Sequence, residues 1–504
     1  MPFPRGFLLD SGRVRIENTS GIEVPSDASE LARWRHFSNV NIDGQSIRSV
    51  LMSFRHDCTT TKTGTYVVRW GSARLKPAGT GVTPANVATT SWGTQAAPLT
   101  GEHPRTDNYS IDTTAAPIRE PRAWVALPAT WLMKQNVRGP VTTQSSANRA
   151  TMTGFMKTYV NDVAADVTQY ESSDNGQGLI NWSTEVEGWL YDRPGTLWNA
   201  YVQTGDVKWL RHAHRASQFY AGHIASSGQR GSFAKKPGDA KYSLSGGMLA
   251  DYLLTGDARL LDKIRAVGEL VAGVPTRLPP YTQTSGLWTE RHTGAALAGA
   301  LHAWEATGDA VFKTRVQTII AGMNADVTSP PSGYPSAATM AGVLLHRSEV
   351  HEGVSYPGVI MSPWMAALMM ESVWHYYLLS DDPVALNFLG NYAQFVAQHA
   401  ITLDGSNYSP WYLSGTSGNY MGAEAEHAQD VMGLLARGRW ARQKQGLSTT
   451  TIDTQIARLR TTADVTFAGW VRTTSGLPRY RLAPTRKAGW WFGTTHDLEW
   501  FGAR

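Results

Sequence analysis

The sequence predicts an α+β chain: an N-terminal antiparallel β-sandwich domain over residues 1–150, followed by an incomplete α/α toroid of helical hairpins over residues 151–504. Three observations carry this expectation. Residues 1–150 are rich in Thr, Ser, Pro and Gly and hold short alternating or β-branched runs. After about residue 153 the apolar spacing becomes helical. A Thr-Gly-Asp corner then recurs, the mark of a repeated hairpin.

In the first region, Ser46 to Phe54 and Thr65 to Trp70 read as strands. Asn41-Ile42-Asp43-Gly44 and Pro77-Ala78-Gly79-Thr80-Gly81 are turns between such strands, which favours antiparallel pairing. The small polar stretch Thr142 to Thr153 marks the domain boundary.

In the second region, the corners are Thr204-Gly205-Asp206, Thr255-Gly256-Asp257 and Thr307-Gly308-Asp309, with Ser380-Asp381-Asp382-Pro383 as a fourth. Gly adopts the left-handed conformation that stops one helix, and Asp caps the amides that open the next. Pro383 suits the first helical position, where its missing N–H leaves nothing unpaired. Helices after the corners are amphipathic, as in Leu260, Leu261, Ile264, Val267, Leu270 and Val271, and belong to an outer layer. Helices before them, such as Thr293 to Trp304 and Ser362 to Leu379, are apolar or small nearly all round and belong to an inner one. Further helices are expected at Phe155 to Tyr170 and Ala423 to Trp440.

Composition narrows the function. Charged residues are 17% of the 504, below the roughly 25% of average proteins, while Trp and Tyr number 19 each. Flat aromatic faces with neutral polar neighbours suit sugar rings. The net charge of +5 comes from scattered residues, so no nucleic-acid partner is expected. The lone Cys58 allows neither an internal disulfide nor a thiolate metal site. The N-terminus lacks the pattern of a secretory signal, and no apolar run is long enough to span a membrane. The expected setting is soluble, cytoplasmic or phage-associated, without a membrane partner; the oligomeric state is not fixed by the sequence.

A pocket is expected where long connections enter the inner helices, because helix N-terminal amides and loop side chains meet there. Five segments qualify: Asn181 to Asn199, Lys235 to Gly246, Thr284 to Gly294, His346 to Trp364, and Asn407 to His427. Each holds titratable groups beyond what packing needs. No His-Glu-x-x-His occurs, and the adjacent pairs Glu426-His427 and His351-Glu352 would diverge on a regular helix, so no metal is expected. Phosphate-binding Gly-rich loops and a Gly-x-Ser-x-Gly elbow are also missing, and no cofactor is expected.

The stretches Gly21-Ile22-Glu23-Val24-Pro25, Leu31-Ala32-Arg33-Trp34 and Asp43-Gly44-Gln45-Ser46-Ile47-Arg48-Ser49-Val50-Leu51 resemble the opening β domain of rhamnogalacturonan exolyase-like polysaccharide lyases. Tyr191-Asp192-Arg193-Pro194, leading to Tyr201 and Thr204-Gly205-Asp206, is similar to the first toroid hairpin of such proteins. The resemblance implies β-elimination on a uronic acid polymer. That reaction needs a cation for the carboxylate as it becomes an enolate, a base for the C5 proton and an acid for the leaving oxygen.

Segment position and residue type then nominate Arg291 as the cation, with Lys241 or Arg347 as substitutes. His292 or His351 would be the base and Tyr242 or Tyr356 the acid. Trp182, Trp288 and Trp364 would stack on sugar, and Tyr420, Glu187, Glu426 and His427 would contact it. A glycoside hydrolase is the alternative, drawing two carboxylates from Glu187, Asp192, Glu290, Glu352 and Glu426. A non-catalytic glycan-binding virion or surface protein is a third reading. In all three the partner is a polysaccharide or oligosaccharide.

Overall fold

The computed structural model describes residues 1–57, 60–61, 63–71, 92–94, 119–121, 124–143, 189–277, 289–334, 336–347, 356, 358–472, 481–482 and 486–502. The expected helix at Phe155 to Tyr170 lies outside these residues, as does most of the boundary stretch after Thr143.

The N-terminal strands form where apolar residues alternate. Strand β1 (Val14–Asn18) buries Val14 and Ile16 and pairs antiparallel with β2 (Glu23–Val24). Strand β3 (Ser26–Arg33) pairs with β4 (Ile47–Phe54), with irregular register around Glu30 to Arg33. Strand β5 (Tyr66–Trp70) adds to the free edge of β1. A further pair joins β6 (Trp92–Thr94) to β7 (Arg119–Pro121).

Among the described residues these strands stand as one three-stranded sheet, β2-β1-β5, and two separate pairs, β3-β4 and β6-β7. Phe3, Leu8, Val14, Ile47 and Val50 make only a small separate core, while Ala32 and Phe37 belong to the core of the helical region. The β3–β4 hairpin also packs on helical corners. The Tyr252 hydroxyl donates to the Leu31 carbonyl at 2.6 Å, and a Cβ at Gly256 would press on Leu51.

The helical region consists of α1 (Arg193–Thr204), α2 (Val207–Gly222), α3 (Gly246–Thr255), α4 (Arg259–Leu270), α5 (Glu290–Thr307) and α6 (Ala310–Thr328). It continues with α7 (Pro363–Leu378), α8 (Pro383–His399), α9 (Ala428–Lys444), α10 (Thr450–Trp470), α11 (Arg486–Thr494) and α12 (Leu498–Gly502). Odd-numbered helices are the inner layer. Each packs on the next inner helix, and α11 returns to pack on α1, so the toroid is closed rather than incomplete. The C-terminal Trp491 and Phe492 are fully buried in this closure. Among the described residues, no helix is long and apolar enough to cross a membrane.

The corners follow one local rule. Gly205, Gly256 and Gly308 have φ of 67°, 79° and 70° and donate their amides to Tyr201, Tyr252 and Trp304. The preceding Thr has a role beyond punctuation. Thr204, Thr255 and Thr307 donate to the carbonyl four residues back, and accept from the amide of the following Asp. In the fourth corner Asp381 takes the left-handed position, with φ 51°, and Asp382 caps the Val384 amide.

A five-stranded antiparallel sheet lies between the layers' connections: β8 (His346–Arg347), β9 (Val359–Met361), β10 (Ile401–Asp404), β11 (Asn407–Ser414) and β12 (Tyr420–Ala423). Two of the five pre-helix segments therefore meet in one sheet. Strand β9 leads directly into α7, and β12 into a 3-10 turn before α9.

Candidate active site

Inside the ring is a cavity of about 150 Å³ whose walls come from α3, α5, α7 and α11, from Val137–Gly139, and from Tyr191 and Asp192 just ahead of α1. Gly294, Ala295, Ala298 and Gly299 of α5 line it; a Cβ at Gly294 would press on the Met369 backbone and one at Gly299 on Val271, so the two glycines let neighbouring helices approach α5 closely. The pre-helix residues Asp192, Lys241 and Ser245 reach it, and so do His302, Glu371 and His375 from within the helices.

Asp192 is the most constrained of these groups. It follows Tyr191, and the two have φ of 51° and 73°, a strained pair in a region non-glycine residues rarely occupy. The left-handed turn aims the Asp192 carboxylate at two helix N-termini. It accepts from Gly195 at 3.2 Å in α1 and from Gly247 at 3.0 and 3.2 Å in α3. Arg138 stands 3.5 Å away and is itself held by Asn199 at 3.1 Å. Burial raises the Asp192 carboxyl above its usual range, although Arg138 and the two amides oppose this. Its proton is therefore held more firmly than in water.

Gly246 marks the point where these groups converge. A Cβ there would lie 2.5 Å from Asp192 Oδ2 and 3.2 Å from His302 Cε1, and would collide with Arg138. His302 Nδ1 is 3.0 Å from Ser245 Oγ, and its ring centroid is 5.4 Å from that of His375. Burial, and next the neighbouring His375, push His302 well below the usual imidazole range, so it is neutral at pH 7.

Two cations complete the lining. Lys241 is fixed by Asp239, with Nζ 2.7 Å from Oδ2. Burial would raise the Asp239 carboxyl, but His292 nearby and the hydrogen-bonded Lys241 hold it well below the usual range. Arg291 reaches the cavity from the first turn of α5, which Thr289 caps. Its guanidinium lies over the ring of Trp364 at 5.3 Å.

Of the residues nominated from the sequence, Arg291 and Lys241 line the cavity, and so does Asp192 from the carboxylates of the hydrolase alternative. Trp182, Glu187, Trp288, His351 and Glu352 lie outside the described residues. His292 is half-buried behind the wall, with Nδ1 2.8 Å from Thr289 Oγ1 and Nε2 3.7 Å from Asp239. Tyr242 is 2% exposed and stacks on Phe233 inside the wall, so it is no proton donor to the cavity. Trp364 is 5% exposed, stacked on His427 at 4.4 Å under Arg291, and offers sugar no open ring.

The remaining nominees gather around the five-stranded sheet. Arg347 pairs with Val359 across β8 and β9. Burial, and then Glu424, raise the Tyr356 phenol. Tyr420, 47% exposed, packs near Trp411. His427 is buried, with Nδ1 3.0 Å from Asp430 and Nε2 3.6 and 3.8 Å from Glu424 and Glu426. The expected divergence of Glu426 and His427 is wrong, because Ala425–His427 is a 3-10 turn and not a regular helix. Glu424, Glu426 and His427 present ligand atoms within 4.8 Å of one another, a spacing a metal ion could bridge.

His302 and His375 fall within the apolar runs that read as inner helices, and nothing local in the sequence marks them for a role. The nearest signal is in α7: Glu371 and His375 interrupt an apolar run four residues apart, on one helix face.

No protein-family model matches the chain, and no curated protein matches it. Solved structures do. An unsaturated glucuronyl hydrolase specific for heparin is 14% identical, over 62% of this chain and 86% of that one, with a TM-score of 0.42. A glycoside hydrolase of family 105 from C. acetobutylicum ATCC 824 is 12% identical, over 69% and 99%, with a TM-score of 0.43. A polysaccharide lyase is 10% identical, over 62% and 91%, with a TM-score of 0.41.

Proposed function

We propose that this protein is an enzyme that cleaves an anionic saccharide by acid-assisted hydrolysis inside the toroid, with Asp192 as proton donor. One observation carries the reading: a half-buried carboxyl with a raised proton affinity faces the central cavity from a strained turn. Such a group is suited to protonate a glycosidic oxygen as the bond breaks. Glu371 on α7 is a second carboxylate in the same lining and the candidate base for the attacking water. Arg291 and Lys241 supply the charge that would select an acidic sugar.

Elimination is the second reading, favoured by the close pairing of His375 and Glu305, with Nε2 2.7 Å from Oε1. The imidazole would take the C5 proton while Arg291 and Lys241 stabilise the carboxylate. One assay separates the readings. The protein is incubated with acidic and neutral polysaccharides and their oligosaccharides, and new reducing ends are recorded beside the ultraviolet absorbance of unsaturated uronates. Reducing ends alone support hydrolysis, and both signals support elimination. Binding with neither signal leaves a non-catalytic glycan-binding protein and overturns both.

A further inference from the structure

The cavity is not built from the helical region alone. Arg48 of β4, 2% exposed, reaches into the toroid and forms an ion pair with Glu305 on α5. The Glu305 side chain is completely buried, and its other oxygen lies 2.7 Å from His375 Nε2. His375 keeps 28% of its side chain exposed and lines the cavity, with its ring 5.4 Å from that of His302. A buried carboxylate thus joins a guanidinium from the β region to an imidazole at the cavity wall.

The charge on Glu305 depends on this company. Burial works against ionisation, yet Arg48 and His375 outweigh it and hold the carboxyl well below its usual range. An ionised Glu305 fixes the ring of His375, as a second-sphere carboxylate fixes a catalytic imidazole. Without Arg48 the carboxylate would be left in a low-dielectric interior with one weaker partner, and it would take up a proton. Its hold on Nε2 would then change in kind, from an acceptor charge to a neutral acid.

We infer that Arg48 is a positioning residue for the cavity, acting through Glu305 on His375, so that the N-terminal β region completes the active site. The inference rests on the reading of the cavity as catalytic. It goes beyond that reading in giving the β region a part in turnover.

The test uses the full chain with 15N-labelled histidine. His375→Gln identifies the His375 resonances. Arg48→Met is compared with Arg48→Met/Glu305→Gln, which removes both buried charges at once and keeps the side-chain volume. Arg48→Lys is the conservative variant. Tyr252→Phe, which removes the hydrogen bond to Leu31 in the same interface, is the control.

Both Arg48→Met variants should move the His375 side-chain nitrogen resonances and lower kcat at least tenfold with KM little changed. Arg48→Lys should recover part of each, and Tyr252→Phe should alter neither. Unmoved His375 resonances in the double variant would overturn the inference, as would Tyr252→Phe moving them as far as Arg48→Met. If the wild-type protein cleaves no saccharide, the resonances still decide the positioning role, and only the glycan reading fails.

Discussion

The carboxylate of Asp192 accepts the amide of Gly247 at 3.0 and 3.2 Å while also capping its own helix at Gly195. One side chain therefore ties the N-termini of two neighbouring inner helices and faces the cavity between them. Its two amide bonds fix the direction in which a proton would be delivered.

Asp192→Asn should lower kcat by about 10²- to 10⁴-fold, the usual contribution of one general acid. Its stability effect has a defined sign. Because the folded carboxyl binds its proton more tightly than the unfolded one, its contribution is full below the unfolded value of 3.8 and is lost as pH rises towards the raised folded value. Relative to Asp192→Asn, the wild-type protein should thus lose stability between these limits. Thermal unfolding followed from pH 3 upward checks this, and a constant difference would contradict it.

Gly246→Ala should be more damaging than its size suggests. The added methyl would meet Asp192 and Arg138 at the point where the cavity groups converge. Overpacking of this kind costs about 1–3 kcal/mol. A fall in Tm together with a larger proportional loss of kcat is the expected outcome, measured by melting and initial rates.

Arg291→Ala should raise KM for an acidic saccharide and have little effect on a matched neutral one. Arg291 is 6% exposed, so salt should weaken its attraction less than that of a surface charge. Rates measured on carboxylated and carboxyl-reduced forms of one polymer would test this. An equal loss on both would mean that Arg291 supports the cavity wall through Trp364 and does not select charge.

Arg48→Met alone should destabilise the fold by about 3–5 kcal/mol, because it strands Glu305 in the interior. The loss should shrink in acid. Glu305 is held well below its unfolded value of 4.5, so its stabilising contribution is present above that value and disappears as pH falls through the folded one. Denaturant unfolding of wild type and variant at pH 7 and near pH 4 would show the difference narrowing.

Gly308→Ala should lower Tm without changing kcat. The position has φ 70°, and a Cβ would collide with Arg35 of the β region. A left-handed alanine costs about 1–2 kcal/mol before that collision is counted. A loss of activity beyond the loss of folded protein would show that the corner reaches the cavity.

The corners were legible in the sequence because their chemistry is local: a Gly with positive φ and an Asp on the next amides need no distant partner. Inner and outer helices were legible from period, and the cavity end from residues that precede helices, among which Lys241 and Arg291 reach its lining. Asp192 was read only as one of several carboxylates, since its partner amide in α3 is brought close by the fold. His302 and His375 looked like core because an apolar helix does not state which face meets the axis. The short strands β8 to β12 gave no period of their own and depend on pairing across long separations. The link from Arg48 to Glu305 spans 257 residues, and no local pattern could announce it.

The return of α11 to α1 also bears on how the molecule comes into being. Thr196 donates to the Gly489 carbonyl across 293 residues of sequence, so this wall of the cavity waits for a contact between distant parts of the chain. Bringing such ends together is entropically slow, whereas the hairpins need only neighbours. On refolding, far-ultraviolet helicity should return before catalytic turnover.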